Sequence, residues 1–167
     1  MTKLLSQMVG RLGELAVEQE LLKRGWLVGN FNANISNAAA YDLFAVKGNR
    51  NICLRVKTTS GSMVQYNAKK SGSAFIDLLP SNDSDYVAIV LMNEETPQEF
   101  YLVPTHIVDE TLKKSNEDWL KHSKKDGSAR KKTKHRALDF NGEQTISAPH
   151  KGMRNRWQQY RDNWAFF

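Results

Sequence analysis

Hydrophobic and polar residues alternate in two short runs, residues 41–46 and 52–59, on either side of a polar turn at 47–51. This pattern predicts a β-hairpin with a loop of about five residues. Because side chains alternate across a strand, the second run has one apolar face and one face that carries Arg55 and Lys57. Asp42 begins the first run. We expect these three charges near one end of a sheet, either as a surface ion pair or as a site.

The N-terminal residues 3–24 show apolar positions at helical spacing, and Gly25 follows as a stop signal. A second stripe of this predicted helix contains Gly10, Gly13 and Glu14. Two glycines weaken a helix, so we expect them where the helix approaches another backbone closely. Glu14 either points inward, where a carboxylate needs a partner, or lies solvated at the edge of the stripe.

The remaining pattern predicts a sheet followed by helices. Residues 85–92 are apolar on both faces and are expected to form an internal strand. We expect further strands at 26–31 and 100–103, a short apolar run at 75–79, loops at 30–40 and 61–72, a helix at 105–120, a hairpin around 138–146 and an amphipathic helix at 153–164. This order predicts an α/β fold with a central mixed β-sheet flanked by helices, as a single domain over 1–167.

Composition narrows the class of protein only slightly. No apolar run reaches the roughly 20 residues of a membrane-spanning helix, so no membrane association is expected. The single cysteine, Cys53, has no partner in the chain for an internal disulfide. We therefore expect a cytoplasmic protein. No cysteine and histidine spacing suggests a zinc site.

Positive charge is concentrated in one stretch of the chain. The formal net charge is +6, and residues 121–136 carry +7 because eight bases face one acid, Asp126. This stretch, the basic segment, either binds a polyanion such as nucleic acid or is a solvated loop. We expect the following bases of the segment to contact nucleic acid: Lys124, Lys125, Arg130, Lys131, Lys132, Lys134 and Arg136.

Several short motifs together resemble one nuclease superfamily. They are G-x-x-G-E at 10–14, Gly25, Y-D at 41–42 and V-K-T-T at 56–59. In this order and spacing they are similar to the PD-(D/E)XK, or restriction-endonuclease-like, superfamily, and within it to members like the Holliday-junction resolvases. The resemblance implies a restriction-endonuclease-like fold.

The resemblance also implies the roles of individual residues. Glu14, Asp42 and Lys57 are expected to be catalytic. Glu14, Asp42 and the backbone carbonyl of Val56 are expected to hold Mg²⁺ or Mn²⁺, and Arg55 and Thr58 to contact nucleic acid. Phosphodiester hydrolysis favours a hard cation with oxygen ligands and a nearby ammonium group. The implied activity is that of a metal-dependent DNA endonuclease, acting on structured or foreign DNA, and a homodimer is an implied assembly.

Arg55 departs from the motif, which has an acid or glutamine at this position. A cation about 4 Å from a metal site opposes binding by roughly 4 kcal/mol per unit charge. Either Arg55 turns away, or another group replaces the acid (Gln65, Asp77 and Asp85 are candidates), or the site is weak. The alternatives to a nuclease are therefore a catalytically degenerate nucleic-acid-binding module of the same fold and an interaction protein with an incidental basic loop.

Overall fold

The computed structural model describes residues 6–31, 41–72, 74–76 and 83–166. Contacts group the chain into two compact units. The first comprises Met1–Gly61, Ser81–Thr105 and Gln159–Phe167, and the second comprises Ser62–Pro80 and His106–Gln158. The expectation of one domain over 1–167 is not tested by this grouping and stays a prediction. No helix among the described ranges is both long and apolar enough to span a bilayer.

The described residues of the first unit form one helix and five strands. These are α1 (Ser6–Lys23), β1 (Leu27–Asn30), β2 (Leu43–Lys47), β3 (Arg50–Thr59), β7 (Asp85–Asn93) and β8 (Thr96–Pro104). The strands form a single sheet in the order β1-β2-β3-β7-β8. Only β3 and β7 pair in parallel, and the other neighbours are antiparallel, so the predicted mixed sheet is confirmed.

The core of the first unit lies between α1 and one face of the sheet. Val17 and Leu21 of α1 are fully buried, as are Leu43 and Leu54 of the central hairpin. Val56, farther along β3, packs against the same cluster. Since side chains alternate along β3, Arg55 and Lys57 are directed to the face opposite α1.

In the part of the second unit that the structure describes, there are four strands in two pairs and two helices. Its elements are β4 (Met63–Asn67), β5 (Lys69–Ser71), β6 (Ala74–Ile76), β9 (His135–Asp139), α3 (Met153–Arg156) and α2 (Thr105–Lys121), of which Thr105 belongs to the first unit. Strand β4 pairs antiparallel with β9, and β5 pairs antiparallel with β6.

Most of the predicted elements of the first unit are present. The N-terminal helix, the strand after Gly25, the central hairpin and the apolar strand from Asp85 are all confirmed in type. The hairpin loop is shorter than expected, because Lys47 pairs with Arg50 and leaves only Gly48 and Asn49 to turn the chain. Gly48 has φ 59°, the left-handed conformation that a two-residue hairpin turn requires.

Two predictions for the other elements were wrong. Residues 61–72 were expected to be a loop but contain β4, with Val64 and Tyr66 buried on alternate positions. The hairpin expected at 138–146 is absent, because β9 pairs with β4 rather than with the residues after Gly142. The helix predicted at 105–120, in one or two pieces, is confirmed and is continuous as α2.

The prediction of a C-terminal amphipathic helix was also wrong beyond the first helical turn. Helix α3 ends at Arg156, and the chain then runs through two short 3₁₀ turns, Gln158–Tyr160 and Trp164–Phe166. Backbone pairing with β8 competes with the helix, because the N–H of Asp162 donates to Phe100 O at 2.8 Å. Asp162 also has φ 50°, which an α-helix does not contain.

Candidate active site

The carboxylate of Asp42 is held at the end of the central hairpin. Asp42 precedes β2, and its backbone N–H donates to Leu54 O at 2.8 Å. Its side-chain Oδ2 accepts the backbone N–H of Val56 at 2.7 Å. A carboxylate that accepts a backbone N–H has a fixed orientation and retains acceptor capacity for other ligands. Asp42 is therefore placed beside the segment of β3 that carries Lys57.

Glu14 is linked to the same end of the sheet by a hydrogen bond with Asn30, a residue that the sequence analysis did not single out. Its Oε2 accepts from Nδ2 of Asn30 at 3.5 Å and from Nη1 of Arg11 at 2.8 Å. Asn30 pairs with Leu43, the residue after Asp42, and the N–H of Phe31 donates to Asp42 O at 2.9 Å. The end of β1 therefore links Glu14 to the surroundings of Asp42.

The position of α1 depends on a close contact between Gly13 and Thr58. A Cβ built on Gly13 would lie 1.8 Å from Oγ1 of Thr58, so no side chain larger than hydrogen fits there. This contact brings α1, with Glu14 next to Gly13, to the end of β3 that carries Thr58, on the sheet face opposite the one to which Lys57 is directed. Oγ1 of Thr58 is buried and has no hydrogen-bond partner among the described residues. The expected contact of Thr58 with nucleic acid stays a prediction.

Arg55 lies next to an aromatic ring. Its guanidinium carbon is 5.5 Å from the centre of the Tyr41 ring, a cation–π distance. The Tyr41 hydroxyl donates to Oδ2 of Asp85 at 2.6 Å, and Asp85 is only 2% exposed. This hydrogen bond, reinforced by burial, raises the pKa of Tyr41 to about 12, while the Arg55 charge acts in the opposite direction.

Asp85 was one of the groups considered as a substitute for the missing motif acid. Its register partner in β3 is Cys53, whereas Lys57 is level with Ile89. Four residues of strand separate these two positions, a distance of about 13 Å along the sheet, so Asp85 does not lie beside Lys57.

Asp85 also affects its neighbour Cys53. Burial, and secondarily the Asp85 carboxylate, raise the pKa of the Cys53 thiol. Asp77, another candidate, lies outside the described residues, and Gln65 belongs to the second unit.

The donor set suits a hard cation only in part. Carboxylate oxygens of Glu14 and Asp42 and a strand carbonyl are the ligand types that Mg²⁺ prefers. Within the described ranges, however, no three side chains of the types His, Cys, Asp and Glu cluster as a ready metal site. Arg55 occupies the sequence position at which the motif would supply the third carboxylate.

Most of the predicted nucleic-acid-binding bases are accessible in the second unit. Lys124, Lys125, Lys131, Lys132 and Lys134 are exposed. Arg130 is partly buried, with Nε donating to His122 O at 2.9 Å and its guanidinium carbon 4.4 Å from the centre of the Trp119 ring. Arg136 is 6% exposed, and its Nη1 donates to the carbonyls of Thr133 and His135. Arg136 therefore serves the internal structure of this unit.

Comparison with known proteins identifies the fold. No family model and no curated protein matches the sequence. Among solved structures, a bacterial homing endonuclease is similar to this chain, with a TM-score of 0.56 and 14% sequence identity. The match covers 96% of this chain and 90% of the endonuclease chain. A Holliday junction resolvase from Archaeoglobus fulgidus is also similar, over 78% of this chain and 83% of its own, with a TM-score of 0.42 and 14% identity. The first likeness, together with the mixed five-stranded sheet, shows that the chain has the restriction-endonuclease-like nuclease fold.

Proposed function

We propose that the protein is a metal-dependent DNA endonuclease that hydrolyses phosphodiester bonds, with Glu14, Asp42 and Lys57 as its catalytic residues. The observation that carries the proposal is the contact of Asp42 Oδ2 with the N–H of Val56, directly before Lys57. The link from Glu14 to Asn30 adds a second carboxylate at the same sheet end. The structural likeness to a homing endonuclease supports DNA as the substrate class.

Each residue has a separate role in the proposed reaction. Glu14, Asp42 and the carbonyl of Val56 would hold Mg²⁺ or Mn²⁺, which would polarise the scissile phosphate. Lys57 would stabilise the negative charge that develops on the phosphate oxygens. The Val56 N–H fixes the Asp42 carboxylate before substrate arrives, so no reorganisation is needed there. That the substrate is structured or foreign DNA stays a prediction, and so does the assembly as a homodimer.

Plasmid nicking in Mg²⁺ or Mn²⁺ tests the proposal. We expect Asp42→Asn and Lys57→Ala each to lower the cleavage rate by at least a hundredfold, with unfolding midpoints measured in parallel to exclude loss of the fold. Lys47→Ala is the matched control, since Lys47 lies at the opposite end of the same hairpin and its Nζ donates to Arg24 O. Equal cleavage by the wild type, Asp42→Asn and Lys57→Ala would reject the assignment.

Arg55 supports a second candidate, a nucleic-acid-binding module that has lost catalysis. A guanidinium in place of an acid disfavours a divalent cation nearby, unless the contact with the Tyr41 ring holds it away. The two candidates differ in the effect of Arg55→Gln. An active nuclease is expected to cleave before and after this change, whereas a binding module is expected to bind DNA without divalent metal and to cleave in neither form.

A further inference from the structure

The strand pair formed by β4 and β9, here called the ribbon, has two different faces. Val64 and Tyr66 of β4 and Leu138 of β9 are buried on one face. On the other face, Gln65 lies opposite Ala137 and Asn67 lies opposite His135. Gln65, Asn67 and His135 are exposed. The ribbon therefore presents a row of amide and imidazole groups to the surroundings, supported by an apolar face behind it.

The exposed face lies beside a cleft that the described residues of this unit leave open. The cleft has a volume of about 310 Å³ and is lined by Gln65 and His135 of the ribbon and by Asn116 and Trp119 of α2, among others. Helix α2 therefore forms the other wall of the cleft beside Gln65 and His135, and Asn67 lies outside this lining.

The spacing of the exposed row matches that of stacked base pairs. Alternate residues on a strand are about 6.7 Å apart, and two base steps of B-form DNA cover about 6.8 Å. The major groove is wide enough for a two-stranded β-ribbon, and glutamine and asparagine amides pair with N6 and N7 of adenine there. Gln65 and Asn67 thus have the chemistry and the separation to contact bases two steps apart.

The basic segment supplies charge of the required sign next to the ribbon. It runs directly into β9, and the N–H of Ala68 donates to Lys134 O at 2.8 Å, which extends the pairing beyond Asn67. The Arg130 guanidinium lies over the ring of Trp119 on α2, and its Nε donates to His122 O just after the helix. The exposed Lys131, Lys132 and Lys134 therefore directly precede β9 at one end of the ribbon, where they can contact phosphates.

We propose that the exposed face of the ribbon enters the major groove of duplex DNA and reads base edges through Gln65 and Asn67. This inference rests on the proposed function only for its substrate, DNA. The basic segment contacts the phosphates that flank the groove, and His135 lies opposite Asn67 as a further hydrogen-bonding group. Sequence preference then resides in the second unit, while the proposed catalytic residues belong to the first.

Selection from a random duplex library, in the absence of divalent metal, tests the inference. The wild-type protein is expected to enrich a preferred sequence, and the double variant Gln65→Ala, Asn67→Ala to lose about tenfold or more of the preference for it over a scrambled duplex. The matched control is Asn93→Ala, Gln98→Ala, which removes two exposed amides from the β7–β8 hairpin. The control is expected to keep the full preference.

Replacing adenine and guanine in the selected duplex with their 7-deaza analogues identifies the groove. Loss of N7 is expected to weaken wild-type binding and to leave the double variant unaffected. A wild type without any preference, a double variant with undiminished preference, or no effect of the 7-deaza bases would overturn the inference. Plasmid nicking separates the two proposals, because cleavage without sequence preference rejects only the ribbon, and preference without cleavage rejects only the nuclease.

Discussion

At the scale of single residues, Tyr41, Arg55 and Asp85 form a cluster that the motif does not contain. The buried Asp85 carboxylate accepts the Tyr41 hydroxyl, and the Tyr41 ring lies against the Arg55 guanidinium. Buried carboxylates are costly unless they accept hydrogen bonds, so Tyr41 stabilises Asp85 in the fold. The same ring gives the Arg55 cation a favourable contact on the sheet. How strongly the Arg55 charge opposes a bound cation therefore depends on the contact of Arg55 with the Tyr41 ring.

The raised pKa of Tyr41 predicts a dependence of stability on alkaline pH. The folded state favours the protonated phenol, because its pKa is raised above the ordinary value to about 12. This contribution to stability is complete below pH 10 and is lost as the pH rises towards 12. Tyr41→Phe is expected to lower the free energy of unfolding by about 1–3 kcal/mol at pH 8, because Asp85 loses a hydrogen bond.

Urea unfolding at pH 8, 10 and 11.5 measures this dependence. The difference between wild type and Tyr41→Phe should shrink between pH 10 and 11.5. Tyr160→Phe serves as the control and should fall in stability with pH as the wild type does. A difference that stays constant across this range would contradict the role of the Tyr41 phenol.

At the scale of elements, the contact of α1 with β3 determines where Glu14 lies. The two glycines of α1 differ in their surroundings. A Cβ on Gly13 would collide with Thr58, whereas a Cβ on Gly10 meets no atom of the described residues within 4 Å. The sequence predicts close approach at both glycines, and within the described part of the chain the structure shows it at Gly13 and not at Gly10. The reason is that periodicity defines a helix stripe but not which turn of the stripe crosses the neighbouring strand.

Alanine at these two positions is expected to change stability in opposite directions. Gly13→Ala should destabilise the protein by about 1–3 kcal/mol, since α1 must move away from β3. Gly10→Ala should stabilise it by about 1 kcal/mol, since alanine is the better helix former and has space. Chemical denaturation of both variants checks the prediction, and equal effects would show that the Gly13 contact is not tight.

At the scale of the whole molecule, charge and proposed chemistry belong to different units. Glu14, Asp42 and Lys57 lie in the first unit, and the basic segment lies in the second. Contacts between lysines and phosphates release counterions, so they strengthen binding to any DNA sequence and weaken it as salt rises. Substitutions in the basic segment are therefore expected to change the affinity for any DNA sequence, and substitutions of the proposed catalytic residues are expected to change the cleavage rate.

Removing two lysines of the basic segment should lower the salt dependence of DNA binding. For Lys131→Ala, Lys132→Ala we expect the slope of log K against log[salt] to fall by about 1–2, because each phosphate contact contributes about 0.9. Titration of a labelled duplex at several salt concentrations measures the slope. The control is Lys113→Ala, Lys114→Ala, an exposed pair of adjacent lysines on α2. The same slope for both double variants would mean that the basic segment is not the binding surface.

The sequence by itself determined the elements whose patterns are local. Helix α1, the central hairpin and the buried strand β7 are encoded by periodicities within each segment and by Gly25 and Gly48 at their ends. The order of the motifs also predicted the fold and nominated Glu14, Asp42 and Lys57. Each of these signals is a pattern within one short segment, so no knowledge of distant partners is needed to read it.

Only the tertiary structure decided the pairings between distant segments. Strand β4 depends on β9, where Met63 lies opposite Asp139, and the end of the chain bonds to β8 instead of continuing as a helix. Asn30 beside Glu14 and Tyr41 beside Arg55 likewise meet through the sheet. A β-strand satisfies its backbone groups through a partner elsewhere in the chain, so its pattern cannot specify which partner that is.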